Sequence, residues 1–365
     1  MDYGKFWEAY YNFWDEFVKD WFAFGSKEKT VSERAAISFG RASCINVDEL
    51  PEPYLGFPDD NELKAVFLNL NPGMCQKGKY GAYRGIDLEA TKFYSNIDIA
   101  DESVPSGWLI KKFRDEAGCS YKEFVKKWSC LNPDLRYELH RNDRNFREVC
   151  GVEWWQGNKA NAINGRMKWV RQIYGDEHLC PQKVFAPEFC PYHSAKWEFD
   201  IADDIELAKH IVSHVLVPAI VAVHQRRGEV PFAIAVGKAF YDILEKIKGN
   251  AIDGVSAVLR NKWACEGSAR EFNDDDLKEI WPKDNGKFIV RSYYLYKVKI
   301  SDVTVNGISI KDVSALILVT YTPSGNKPPK ADFNVIDGDD GVEKKIREYV
   351  QTICAIDQEK EQGHE

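Results

Sequence analysis

Three short segments of this chain carry residue types that could hold and act on a small polar group. Asn71-Pro72-Gly73 follows the apolar run that starts at Lys64, and Thr322-Pro323-Ser324-Gly325 follows a second run from Ala315 to Tyr321. In each loop the proline fixes φ and the glycine allows another group to approach the backbone closely. The Asn71 amide can orient a water molecule, but it cannot accept the water's proton as a carboxylate would. The Ser324 hydroxyl and neighbouring N–H groups can donate to phosphate oxygens. Both sequences are equally those of ordinary β-turns. The third segment, residues 186–197, places Glu188 and His193 just after another short apolar run. A carboxylate accepts hydrogen bonds, so Glu188 suits a partner that offers an amino group better than one that offers a carbonyl. His193 could face a phosphate or a leaving group, although lone histidines are more often structural. Tyr80 and Tyr83, in GKYGAYRG, offer rings on which a planar base could stack, or else fill core or surface.

The charge pattern qualifies any nucleic-acid reading. The formal net charge is -8, whereas phosphate contacts supply most of the affinity for DNA. One stretch, Trp154 to Gly175, nevertheless contains no acid and carries Lys159, Arg166, Lys168 and Arg171 among aromatics and amides. It reads as a DNA-facing surface or as a solvated loop entering a helix.

The elements that would position these residues follow from periodicity. Phe6, Tyr10, Phe13, Trp14, Phe17 and Trp21 recur at helical spacing, predicting an amphipathic helix over Phe6 to Phe24 that packs on a core. Prolines at 51, 53 and 58 mark an extended connector. Short apolar runs from Lys64, Val184 and Val230 read as buried strands, and Ile205 to Gln225 and Lys238 to Ile247 read as helices. Alternation from Lys287 to Ile310 with Asn306-Gly307 inside it predicts an added hairpin, followed by a core strand at Ala315 to Tyr321 and a helix at Val342 to Ile353. Strands alternating with helices imply an α/β sheet with helices on both faces, in which ligands sit beyond the carboxyl ends of the strands. With no internal repeat, residues 1–365 read as a single elaborated domain, with an N-terminal helical extension over 1–60 and a large insertion over 105–180.

Composition removes several classes. Hydrophobic residues make up 44% of the chain, enough for a packed core. Nine scattered cysteines without a CxxC pair suit reduced thiols, so no metal and no cofactor is expected. The longest apolar stretch, Ile211 to Val223, is interrupted by Ser213, His214 and Pro218 and reads as too short and polar for a bilayer. A soluble, cytoplasmic protein without membrane attachment is the expectation. Neither a G-x-x-x-x-G-K-[ST] nor a G-x-G-x-x-G loop is present, which argues against a nucleotide hydrolase.

The segment VFLNLNPG, residues 66–73, resembles the first motif of the uracil-DNA glycosylase superfamily, in particular its mismatch-uracil and thymine branch. LVTYTPSGN, residues 318–326, is similar to that branch's second motif, and PFAIAVGKAFYDIL, residues 231–244, to the strand, glycine and helix before it. Where the family has glycine two residues before the catalytic asparagine, this chain has Asn69. The resemblance implies a three-layer α/β/α sheet and a base-flipping hydrolase. Asn71 would position the water, and Pro72, Gly73, Tyr80, Tyr83, Glu188 and His193 would line the base pocket. Thr322, Pro323, Ser324 and Gly325 would pinch the DNA backbone, with Asn326 and Lys327 as the wedge. The partner would be double-stranded DNA with one flipped nucleotide. Glu188 and the insertion favour an enlarged cytosine of phage DNA, removed as antiphage defence. Uracil or thymine mismatch repair and a non-catalytic nucleic-acid-binding relative are the alternatives.

Overall fold

The computed structural model describes residues 1–24, 52–69, 120–128, 166–191, 205–249, 252–268, 281–282, 287–321 and 342–362. The chain forms an α/β structure around one mixed sheet. The strands are β1 (Tyr54–Leu55), β2 (Ala65–Leu68), β3 (Val184–Pro187), β4 (Ala233–Val236), β5 (Val255–Ser268), β6 (Trp281–Pro282), β7 (Lys287–Val305) and β8 (Ile308–Tyr321). Their order is β1-β3-β2-β4-β8-β7-β5, with β6 paired to β7. β3, β2, β4 and β8 run parallel, and β1, β7 and β5 add antiparallel strands outside them. Every residue of β2, β3 and β4 is buried, as expected of short apolar runs covered on both faces.

The predicted hairpin exists, but its second arm and the predicted last core strand are one element. β7 and β8 are joined at Asn306-Gly307, where φ is 49° and 78°, the left-handed values of a two-residue hairpin turn. β8 then runs without interruption from that turn into the parallel block. β5 was not anticipated. Its sequence alternates poorly and leaves Val258 and Leu259 exposed, so its pairing with β7 sets it as a strand.

Register shows that helices cover both faces. Phe185, Val66, Ala233, Ile317 and Tyr296 are successive partners across five strands and therefore share one face. Helix α1 (Tyr3–Phe24) packs Trp7 and Tyr10 edge-on against Phe185, with ring centroids 6.1 and 5.9 Å away. On the same face, the helix at Lys238–Lys248 sets Tyr241 near Tyr296, and Glu245 accepts the Tyr296 hydroxyl at 2.7 Å. The opposite face carries the helix at Val342–Gln362, whose Glu343 accepts the hydroxyl of Tyr293. Arg347 of that helix donates to the Gln172 carbonyl on the helix at Arg166–Tyr174. A short helix at Tyr121–Trp128 lies against α1. In chain order we call these helices α1, α2 (Tyr121–Trp128), α3 (Arg166–Tyr174), α4 (Ile205–Gln225), α5 (Lys238–Lys248) and α6 (Val342–Gln362).

α4 spans Ile205–Gln225, as its sequence predicts, and Pro218 does not end it. Proline lacks an N–H and crowds the carbonyl four residues back, here that of His214. The turn Val212–Leu216 widens to a π-helix and absorbs the defect. Over Ile205–Gln225 the helix has the length and apolarity of a bilayer span, with a mean hydropathy of 1.5 in its most apolar window. That window is 67% buried, and the helix packs on β2 and β8, so it serves as a core helix.

The aromatic stripe of α1 is core, as its spacing predicts: Phe6, Tyr10, Trp14 and Phe17 are buried. Phe13 stacks flat on His214 of α4, ring centroids 3.9 Å apart, and His210 lies 4.5 Å beyond. Burial lowers the His210 imidazole from its ordinary 6.5 to about 4. Burial and the neighbouring His210 lower His214 to about 3. Both rings are therefore neutral in the folded protein and protonate more readily once unfolded. Stability is fully present above pH 6.5 and is lost as pH falls from there through the two depressed values. The melting temperature should drop steeply across that window, and His214→Leu should flatten the dependence. An unchanged acid dependence in that variant would remove the stacked histidine as its source.

Candidate functional site

Among the described residues the buried polar side chains are few: Asn69, Glu188, Ser292, Thr320 and Glu343. Four of them converge. Asn69 opposes Glu188 across an isolated parallel bridge just past the ends of β2 and β3. Val236 is paired with Thr320, and Thr320 with Tyr293. One residue beyond the last β2–β4 pair, Leu68 with Ala235, the same register sets Asn69 beside Val236. Glu188, Asn69, Val236, Thr320 and Tyr293 thus form a single row across five strands, at the carboxyl edge of the parallel block. All five lie on the face covered by α3 and α6, and Glu343 reaches the row from α6.

Backbone bonds fix the Glu188 end. The Glu188 N–H donates to the Pro53 carbonyl at 2.9 Å, and the Phe189 N–H donates to the Asn69 carbonyl at 2.8 Å. The Asn69 N–H reaches the Pro187 carbonyl at 3.2 Å. With both backbones held, the Asn69 side-chain Nδ2 donates to Glu188 Oε1 at 2.8 Å. Glu188 is 6% exposed and Asn69 4%. On α2, the Tyr121 hydroxyl is held well above the usual phenol range by burial first, then by Glu52, Tyr54, Glu188 and Tyr10.

At the other end, Tyr293 donates to Glu343 Oε1 at 2.8 Å, with both residues buried. Between the ends, the Thr320 hydroxyl is buried and has no hydrogen-bond partner among the described residues. β4 passes into α5 through Gly237 at φ 112°, a value that a side chain would oppose, and its N–H donates to the Thr320 carbonyl at 2.9 Å. The start of α5 therefore sits at the same edge.

Spacing limits the chemistry. The strands bearing Glu188 and Tyr293 are four steps apart, roughly 19 Å at the usual strand separation. Carboxylates that share one scissile bond as acid and base or nucleophile lie roughly 5–10 Å apart. Glu188 and Glu343 are not such a pair. The Glu188–Asn69 end instead links the carboxyl ends of β3 and β2, and the Tyr293–Glu343 end ties α6 to the sheet.

Of the site residues expected from sequence, Glu188 falls in this row. Asn71, Pro72, Gly73, Tyr80, Tyr83, His193, Lys159 and Thr322, Pro323, Ser324, Gly325, Asn326 and Lys327 lie outside the described residues. In the sequence, Asn71, His193 and Thr322 come one or two residues after Asn69, Pro191 and Tyr321, where described segments end. Arg166, Lys168 and Arg171 are on α3. Arg171 is half-buried, and its Nε donates to the Leu179 carbonyl at 2.7 Å, closing the turn after the helix. Sequence reasoning noted Asn69 only as a departure and missed Thr320, Tyr293, Glu343 and Tyr121. A polar residue inside an apolar run was the available signal for Asn69 and Thr320; the others left none. Among the described residues no group of His, Cys, Asp and Glu is placed to hold a metal ion.

Comparisons of the chain with models of known protein families, with curated proteins and with solved structures return no match.

The two tyrosine–carboxylate bonds differ in burial, and that difference is measurable. Tyr293→Phe should cost about 1–3 kcal/mol, because Glu343 loses a donor in the interior. Tyr296→Phe should cost about 1 kcal/mol or less, since its partner Glu245 is 34% exposed. Urea unfolding of both variants checks the order, and equal losses would show that burial of the acceptor does not matter here.

Proposed function

We propose that the protein is a monofunctional DNA glycosylase that takes one base out of the duplex and hydrolyses its bond to deoxyribose. The observation that carries this reading is the buried Asn69–Glu188 pair at the carboxyl edge of the parallel strands, two residues before Asn71. That edge is where ligands bind in open α/β sheets. β2 and β8 are both parallel to the β4 strand that separates them, so the described strands that precede residues 71–73 and 322–325 in the sequence end at the same side of the sheet. A shared end is what the two motifs would need to work on one nucleotide.

In this reading a base enters the edge and meets Glu188. The sugar acquires oxocarbenium character as the bond breaks, and Asn71 orients the attacking water without taking its proton. Backbone N–H groups and Ser324 hold phosphates, and Gly325 permits their approach. A carboxylate acceptor favours a base with an amino group over uracil or thymine. Cytosine itself must be spared, so the substrate we favour is an enlarged cytosine, such as the glucosylated hydroxymethylcytosine of phage DNA. Its removal leaves an abasic site and disables the phage genome.

Asn71→Ala should lower base release by about a hundredfold or more while DNA affinity stays within a few-fold, because the amide acts on the chemical step and phosphates dominate binding. Alkaline cleavage of the abasic product and fluorescence anisotropy measure the two quantities. Undiminished turnover would remove the mechanism. Mass spectrometry of bases freed from modified phage DNA and from uracil-containing duplex decides the substrate. Efficient uracil release beside an inert phage substrate would favour the repair reading instead.

A further inference from the structure

The interface between α1 and α4 turns on one imidazole. Phe13 lies flat on the His214 ring with centroids 3.9 Å apart, Trp14 meets it edge-on at 6.1 Å, and His210 stands 4.5 Å away on the same helix. His214 Nδ1 is buried and has no hydrogen-bond partner among the described residues. A neutral imidazole carries a proton on one ring nitrogen, so Nδ1 can stay a bare lone pair here. An imidazolium donates from both nitrogens, and a buried donor without an acceptor is costly. The backbone of α4 contributes to the crowding. Four residues carry an α-helix about 40° past a full turn, and the wider π-turn at Val212–Leu216 takes back part of that excess, which brings the two histidines closer to one line.

No counter-charge stands ready for a protonated ring. Among the described residues the one titratable group acting on His214 is His210, which opposes a second positive charge. On α1, Asp15 accepts the Tyr121 N–H and the Lys19 ammonium, and Glu8 and Glu16 are exposed. On α4, Glu206 holds Lys209, and His224 lies at the far end beside the Ser314 carbonyl. The strands packed against α4 add little: β2 and β4 are apolar, and on β8 Lys311 and Asp312 pair with Asp302 and Lys299. Tyr174 and Arg347, which hold α3 to the strands and α6 to α3, do not change charge in acid.

We propose that protonation of His214 releases α1 as a unit from α4 and the sheet, while the strands and the α3–α6 layer stay folded. Once α1 has left, both imidazoles meet water and regain their ordinary 6.5, whereas burial in the interface holds them far below it. Each pH unit below 6.5 therefore favours release about tenfold for each ring freed, until the depressed values are reached. At neutral pH the buried rings of α1 hold it in place. In acid the helix leaves with Trp7, Tyr10 and Trp14 and uncovers Phe185 and Tyr54, so the acid form presents an apolar surface that the neutral form hides.

Hydrogen–deuterium exchange of the full chain, read peptide by peptide from about pH 7 to about pH 4 and corrected for the intrinsic rate, gives the order of opening. Peptides from α1 should lose protection about tenfold or more at a pH where those from β2, β4, β8 and α6 keep theirs. His214→Leu and His214→Gln carry no titrating group at this position, one apolar and one polar. In both, α1 should stay protected to a pH about one unit lower. Loss of α1 and sheet protection at one common pH in the native chain would overturn the inference. So would an α1 release that neither variant shifts. If neither variant folds, the order of opening in the native chain decides the question by itself.

Discussion

Everything at the candidate site depends on the register of four short parallel strands. Side chains alternate faces along a strand, so sliding β2 by one residue against β3 and β4 would turn Asn69 to the α1 side and part it from Glu188. Burial on both faces holds that register. β2, β3 and β4 contribute only apolar side chains until their carboxyl ends, and any slip would strand Phe67 or Phe185 against the wrong layer. Tyr174 of α3 adds a further pin, because its hydroxyl takes the Val66 N–H at 3.1 Å and donates to the Phe232 carbonyl at 2.6 Å. One side chain thus spans β2 and the entry to β4.

The polar row is an expensive way to finish such a sheet. Burying a carboxylate or a hydroxyl without full compensation costs about 1–3 kcal/mol in proteins, and apolar residues of similar volume would avoid the cost. The chain nevertheless places Glu188, Asn69, Thr320 and Glu343 there, while the rest of the described interior, Ser292 apart, is apolar or aromatic. Local rules are broken in this way where a structure serves binding or chemistry. The Thr320 hydroxyl, buried and without a hydrogen bond among the described residues, belongs to the same pattern. The two ends of the row are stabilised differently. Asn69–Glu188 joins residues on adjacent strands, whereas Tyr293–Glu343 fastens a helix, and through Arg347 that helix fastens α3.

The opposite face answers to another constraint. α1 brings a stripe of large rings against Phe185 and Tyr54, and α4 meets it with His214 stacked on Phe13. Trp7 Nε1 donates to Gln225 Oε1 at 2.9 Å near the far end of α4. The π-turn that Pro218 imposes lies in the same part of α4 as His214, so a backbone irregularity and two neutral imidazoles share one interface. The layer behind the sheet is therefore ordered by packing and sensitive to protons, while the layer over the polar row is ordered by hydrogen bonds.

Much of the fold was legible in the sequence because it is written in local patterns. The apolar runs at β2, β3 and β4, the ring spacing of α1 and the Asn306-Gly307 turn each specify an element through neighbours a few residues away. The residue types at Asn71, Glu188 and Ser324 indicate chemistry in the same local sense. What needed tertiary structure was adjacency. Asn69 and Glu188 are 119 positions apart, and Tyr293 and Glu343 are 50 apart. Each pair meets only because strand order and register bring β3 beside β2 and α6 onto β7. β5 became a strand for the same reason, since its own alternation is weak and β7 supplies the pairing. Periodicity tells a residue which face of its own strand it occupies. Only the stacking of strands in register decides what stands beside it on that face, and there a departure from a motif at Asn69 becomes the partner of Glu188.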